Sequence, residues 1–249
     1  MDEALELGDY LPQSFGNGGE ATYLEFLWSA FGSNYSEGRY EFASFAFHLL
    51  YMSFVSFSIW QIRLARPEQF SMAMVGFRSE AESKLLGCDS PFKFYKQLKE
   101  SEIFRFLKLI GCNNAQVGEF AKFVKRRNLI AHPTGSVFFN DQDTLDREIA
   151  DMMSEVRNIQ AHMQPVLLEL YQSFLLESAE AEELQYATTD DEITANFLHK
   201  NYLSLKDIAF CRAHDVEPLR SEPGAEVMLE LHEALVRLNP ADADEIVAA

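Results

Sequence analysis

Phe42-Ala43-Ser44-Phe45-Ala46-Phe47-His48-Leu49-Leu50-Tyr51-Met52-Ser53-Phe54-Val55-Ser56-Phe57-Ser58-Ile59-Trp60-Gln61-Ile62 contains no formally charged side chain. A helix of this length is long enough to cross a bilayer, so its placement decides the fold. Its polar residues argue for a protein interior. His48, Gln61 and the serines Ser44, Ser53, Ser56 and Ser58 interrupt it, Arg39 and Glu41 precede it, and Arg63 and Arg66 follow it. In hydrocarbon each such group would need an internal partner, whereas a buried bundle helix meets partners on its neighbours. The expectation is a central core helix from Glu37 to about Arg66, with Ser36 as its N-cap.

On the N-terminal side, Gly16-Asn17-Gly18-Gly19 breaks the chain, and the first twenty residues are expected to form a loose arm. Ala21–Phe31 is expected as a short helix closed by Gly32-Ser33-Asn34. On the C-terminal side, Pro67 restarts a helix that should run to Gly87, with Met74, Phe77, Ala81 and Leu85 along one face. Asp89-Ser90-Pro91 opens another, with Phe92, Tyr95 and Leu98 apolar, and Ser101 to Ile110 continues to Gly111. Asn113 or Asn114 caps a helix from Ala115 to about Ala131 whose apolar side is Phe120, Phe123 and Val124. A turn with a short extended piece, Val137-Phe138-Phe139, leads to the longest later helix. Asp141 or Asp143 caps that helix, Ile149, Met152, Met153, Val156, Ile159 and Met163 point inward, and Pro165 is expected to kink it. Two or three shorter helices are expected, at about 192–199, 204–213 and 224–238. No strand pattern and no glycine-rich phosphate loop is visible, which argues against a nucleotide-binding α/β fold. The expected organisation is all-α: an arm and short helix over 1–36, an up-and-down helical bundle over 37–178, an acidic linker over 179–192 and a small helical appendage over 193–249.

The 249 residues can bury a substantial core, and 21 phenylalanines call for broad helix–helix contacts. The net charge of −18 argues against a passive nucleic-acid coat. It is unevenly spread. Residues 1–140 hold 15 acids and 14 bases, and residues 141–249 hold 24 acids and 7 bases. Lys93 to Arg127 carries nine bases against three acids, a locally basic approach to the helix end at Ala131. Cys88, Cys112 and Cys211 show no ligand spacing, and an odd count without a signal peptide suits a reducing cytoplasm. The histidines are not spaced as metal ligands, so neither metal nor cofactor is expected.

That helix end reads Arg126-Arg127-Asn128-Leu129-Ile130-Ala131-His132-Pro133. Arginine holds phosphate in a fixed fork, and histidine moves a proton near neutral pH. Pro133 disfavours helical geometry at His132 and should release the imidazole toward a loop. The string recurs as Arg157-Asn158-Ile159-Gln160-Ala161-His162, but within a long periodic helix with no break to expose the ring, as on an ordinary bundle surface.

The first copy resembles the hallmark of the HEPN superfamily, helical bundles in which an arginine, usually followed by a polar residue such as asparagine, precedes a histidine by four to six residues where a helix gives way to a short loop. The resemblance covers about residues 37–178. It implies a metal-independent endoribonuclease of antiviral defence, a toxin–antitoxin pair or RNA processing, with its site formed between two copies of the chain. Carried over, Arg127 would bind the scissile phosphate, His132 would act as general base or acid, and Asn128 would orient one of them. Lys125 and Arg126 would hold neighbouring phosphates. RNA, a second copy of the chain and an antitoxin or regulatory protein are the implied partners. Several HEPN branches lack catalysis and serve as binding or assembly domains, so a non-catalytic interaction module with an acidic docking half is the alternative. A DNA-reading pair of helices over Thr194–Val216 is a weaker one, because Lys200, Lys206 and Arg212 face Asp207 and Asp215.

Overall fold

A computed structural model describes residues 2–75, 79–131 and 141–240. In chain order its helices are α1 (Asp2–Glu6), α2 (Gly18–Ser36), α3 (Tyr40–Ala65), α4 (Pro67–Ala73), α5 (Ser79–Leu86), α6 (Glu100–Ile103), α7 (Asn114–Ala131), α8 (Gln142–Glu180), α9 (Thr189–Glu192), α10 (Leu205–Arg212) and α11 (Ala225–Leu238). Short 3-10 helices lie at Leu7–Tyr10, Pro91–Lys96, Phe104–Ile110 and Glu217–Ser221, and a short π-helix at Ile193–His199. The architecture is an all-α bundle, and no strand is present among the described residues.

α3 is the axis of the bundle. Every side chain from Leu50 to Ile62 is buried, and 83% of its most apolar window lies inside the protein. The faces a bilayer would have covered are taken by α2 and α8, with α7 and Pro91–Lys96 closing the rest. Its polar residues are placed as a protein interior requires. Ser53 and Ser58 donate to carbonyls one turn back, at Leu49 (2.8 Å) and Phe54 (3.1 Å). Ser44 donates to Glu148 of α8 at 2.8 Å, and Gln61 reaches Asp207 of α10 at 3.1 Å. The phenylalanines supply the contacts: Phe31 meets Phe47 at 5.3 Å, Phe70 stacks on Phe106 at 4.5 Å, and Tyr51 lies against Phe104 and Phe123.

Several boundaries differ from expectation. The N-terminal arm is packed: Ala4, Leu7, Tyr10 and Leu11 are buried in the core, because α1 and Leu7–Tyr10 lie on α8 and α10. α2 runs through Gly32 to Ser36, since the packing of Phe31 and Tyr35 outweighs the propensity cost of one glycine. Ser36 therefore ends α2 and caps nothing. Gly38, at φ +71°, turns the chain, and Arg39 stands at the start of α3 without a side-chain cap. The helix expected from Pro67 to Gly87 is two, α4 and α5. Residues 76–78, including Phe77, lie outside the described residues, as do His132 to Asn140 with the extended piece expected there. Pro91–Lys96 is a 3-10 turn that buries Pro91 and Phe94 in place of Phe92 and Tyr95. α8 continues past Pro165 as one helix to Glu180, as the apolar stripe from Leu167 to Leu176 leads one to expect. The segment expected as an appendage shares the single core: Ile193, Phe197, Tyr202, Ile208, Cys211 and Leu231 are all buried within it.

Candidate functional site

The site grows from the way α7 is set down. Asn113 accepts from the amides of Ala115 (2.9 Å) and Gln116 (3.0 Å), while its own amide donates to the Gln116 side chain at 2.8 Å. This reciprocal cap fixes the start of the helix. Phe120, Phe123 and Val124 are buried, and Phe123 meets Tyr51 of α3 edge-on at 5.5 Å. Arg127, one turn beyond Phe123 and two beyond Phe120, is thereby carried to the same inner side.

There its guanidinium pairs with Glu100, at the start of α6. The same Glu100 oxygen faces Nε2 of His48 at 3.4 Å. A carboxylate only accepts, so His48 carries its proton on Nε2, and Nδ1 is left without a partner among the described residues. His48 is 1% exposed, Arg127 16% and Glu100 22%, so the triad is set into the protein just below its surface. Burial pushes the His48 imidazole below its usual range, against the pull of Glu100, and keeps it neutral at pH 7. Burial alone would raise Glu100, but hydrogen bonds from His48 and Arg127 outweigh it and hold the carboxyl at about 2.

A second pairing runs beside the first. Arg126 contacts the fully buried Glu148 of α8, whose other oxygen accepts from Ser44. α7 is thus tied through consecutive arginines to α6 and α8, each carboxylate being shared with α3. Asn128 is half-buried and Lys125 is exposed on the outer side. Of the residues singled out in the sequence, the structure brings Arg126, Arg127 and Asn128 to one helix end. His132 lies outside the described residues.

Arg157 and His162 take other surroundings. Arg157 pairs with Glu6 and, at 3.5 Å, with Glu3, pinning α1 to α8. His162 Nδ1 faces the Ile110 carbonyl at 3.2 Å and Nε2 faces the Gln116 side chain at 3.1 Å.

Sequence reasoning missed His48, Glu100 and Glu148. Two of them left a signal. Glu148 interrupts the inward stripe Leu145, Ile149, Met152, and a carboxylate there needs a cation. Ser44 and His48 are one turn apart in a helix otherwise apolar on that side. Glu100, in a helix of four residues, left none. Comparison of the chain with protein-family models, with curated proteins and with solved structures gave no significant match.

Proposed function

We propose that the protein is a metal-independent endoribonuclease of the HEPN type, acting as a homodimer in antiviral defence or a toxin–antitoxin system in the cytoplasm. The observation that carries this is the state of Arg127. It stands one turn before the end of α7, partly open to solvent, oriented by one carboxylate, with its buried Nε unpartnered among the described residues. A guanidinium so held is pre-organised to meet a phosphate, and exchange of Glu100 for phosphate oxygens would transfer its fork to the substrate. His132, five residues on, would take the proton from the ribose 2′-hydroxyl as that oxygen bonds to phosphorus and the bond to the 5′-oxygen breaks, the leaving oxygen taking a proton from water, and the guanidinium would stabilise the negative charge that develops on the phosphoryl oxygens. The products would be a 2′,3′-cyclic phosphate and a 5′-hydroxyl, and DNA would resist.

The test is incubation of pure protein with RNA in EDTA, with product ends identified. Cleavage should fall at least about 100-fold in Arg127→Ala and in His132→Ala. Cleavage that is absent, or unchanged in His132→Ala, removes the assignment. The pairing of both Arg126 and Arg127 with carboxylates of other helices favours a second reading, a non-catalytic interaction module in which these arginines only lock α7 in place.

A further inference from the structure

A cleft of about 720 Å³ lies between the first turn of α2 and the Pro91–Lys96 turn, within the size range of small-molecule sites. Its walls include Tyr23, Phe92 and Tyr95, and Lys93 and Lys96 stand at it. Glu20, only 4% exposed, also lines it. Three observations show that this carboxylate is held in place. Ser90 donates to one oxygen at 2.5 Å and Tyr202 to the other at 2.9 Å. Tyr202 adopts a left-handed φ of +52°, rare for a side chain of its size, while making that bond. A Cβ at Gly16 would collide with the same hydroxyl, so glycine there is what lets the chain close around it. Phe92 is held as firmly, edge-on to Tyr23 at 5.2 Å and to Phe57 at 5.3 Å.

The geometry points to a binding site for a guanine nucleotide. Aromatic walls take the face of a base, whichever base it is. The carboxylate selects among bases. Each Glu20 oxygen has accepted one hydroxyl and keeps a second lone pair. Guanine alone presents two adjacent N–H donors on its pairing edge that can meet both oxygens. Adenine offers one donor there beside an acceptor, and uracil one donor between two acceptors. The phosphate goes to Lys93 and the exposed Lys96. It does not go to the N-terminus of α2, because Asn17 already accepts from the Glu20 amide and the Glu20 carboxylate occupies that end. Lysines at the cleft also disfavour a polyamine, which the buried carboxylate taken alone would have suited. Asp89 pairs with Lys93 on the open surface, a contact that a phosphate can displace at little cost.

The experiment is titration of the full chain with GMP, AMP, UMP and a short guanosine-containing RNA under conditions without cleavage, followed calorimetrically. It reads binding only, so a failure to cut RNA leaves it standing. GMP should saturate the protein and bind at least about tenfold more tightly than AMP or UMP. Tyr23→Ala and Lys96→Glu, both at accessible positions, should each weaken GMP about tenfold, and Arg157→Ala on the far helix should leave it unchanged. The same loss for Glu20→Gln with AMP affinity unaltered would locate the selectivity. RNA binding as tight as GMP or tighter identifies the ligand as an RNA residue, and binding of GMP alone identifies a free nucleotide. Absence of saturation by GMP and RNA at millimolar concentration, or equal GMP affinity in the Tyr23 and Lys96 variants, overturns the proposal. So does a preference for spermine.

Discussion

Arg127-Asn128 and Arg157-Asn158 open two six-residue strings of one pattern, arginine and asparagine followed by alanine and histidine at the end, and the bundle puts them to different use. Arg157 lies mid-way along α8, 43% exposed, against carboxylates of α1 that are themselves open to water. Arg127 lies where α7 ends, 16% exposed, against a carboxylate that also faces a buried imidazole. The histidine of the second string is fixed by Ile110 and Gln116 within the helix pack. Identical side chains therefore differ in what they can do because their partners differ in hydration. A pair in water is screened and replaceable, and a pair below the surface leaves a stranded charge when either member is removed.

The largest expected contrast follows from that difference. Glu100→Ala leaves the Arg127 guanidinium and the His48 ring without their acceptor, and should cost about 3 kcal/mol in urea unfolding. Combining it with Arg127→Ala should recover part of the loss, with a coupling of about 1–3 kcal/mol. A loss from Glu100→Ala no greater than that from Arg157→Ala would mean that the two strings stand in equivalent surroundings.

A smaller effect appears on acidification. The folded chain holds His48 neutral, while the unfolded chain takes up a proton near pH 6.5. The unfolded state thus binds more protons below that pH, and stability should decline as pH falls through 6.5, by no more than about 1.4 kcal/mol per pH unit from this one group. His48→Gln should remove that part of the slope. Glu100 acts in a lower window. Its folded value of about 2 lies below the ordinary 4.5, so its contribution is present above pH 4.5 and is lost between 4.5 and 2. Glu100→Gln should flatten that window and leave the upper one to His48. Urea midpoints measured across both ranges separate the two, and a wild-type slope near pH 6 that survives in His48→Gln would remove the buried-imidazole account.

How far these partners were legible depends on their range in the chain. The helices with strong periodicity and caps, α7 with Asn113 and α8 with Asp141, were placed closely, because the information lies within one turn of the boundary. Phe42–Ile62 was legible as a core helix because its polar residues made no sense in lipid. Gly32 and Ser36 misled, since both are ordinary breakers by local propensity and only the contacts of Phe31 and Tyr35 override them. The N-terminal residues looked loose for the same reason: Leu7 and Leu11 show no periodicity of their own, and Leu7–Tyr10 packs on α8 and α10, more than 130 positions away. In the candidate site the arginines were legible and their carboxylates were not. Glu100 is 27 positions from Arg127, and no spacing rule connects an acid in a single turn to the end of a separate helix.

The smallest effect tests the exposed member of the comparison. Arg157→Ala removes pairs to Glu6 and Glu3 whose partners remain hydrated when released, so it should cost at most about 1 kcal/mol. α1 should stay docked, because Ala4 and Leu7 are fully buried and do not depend on the charge. Half-molar salt should erase most of the difference between Arg157→Ala and wild type, since the Debye length is then shorter than about 5 Å. The loss from Glu100→Ala should largely persist in the same salt, because the pair is mostly shielded from solvent and its second partner, His48, is buried. If the salt response of the two variants were the same, hydration would not be what distinguishes the two arginines, and the special standing of Arg127 would have to come from the helix end alone.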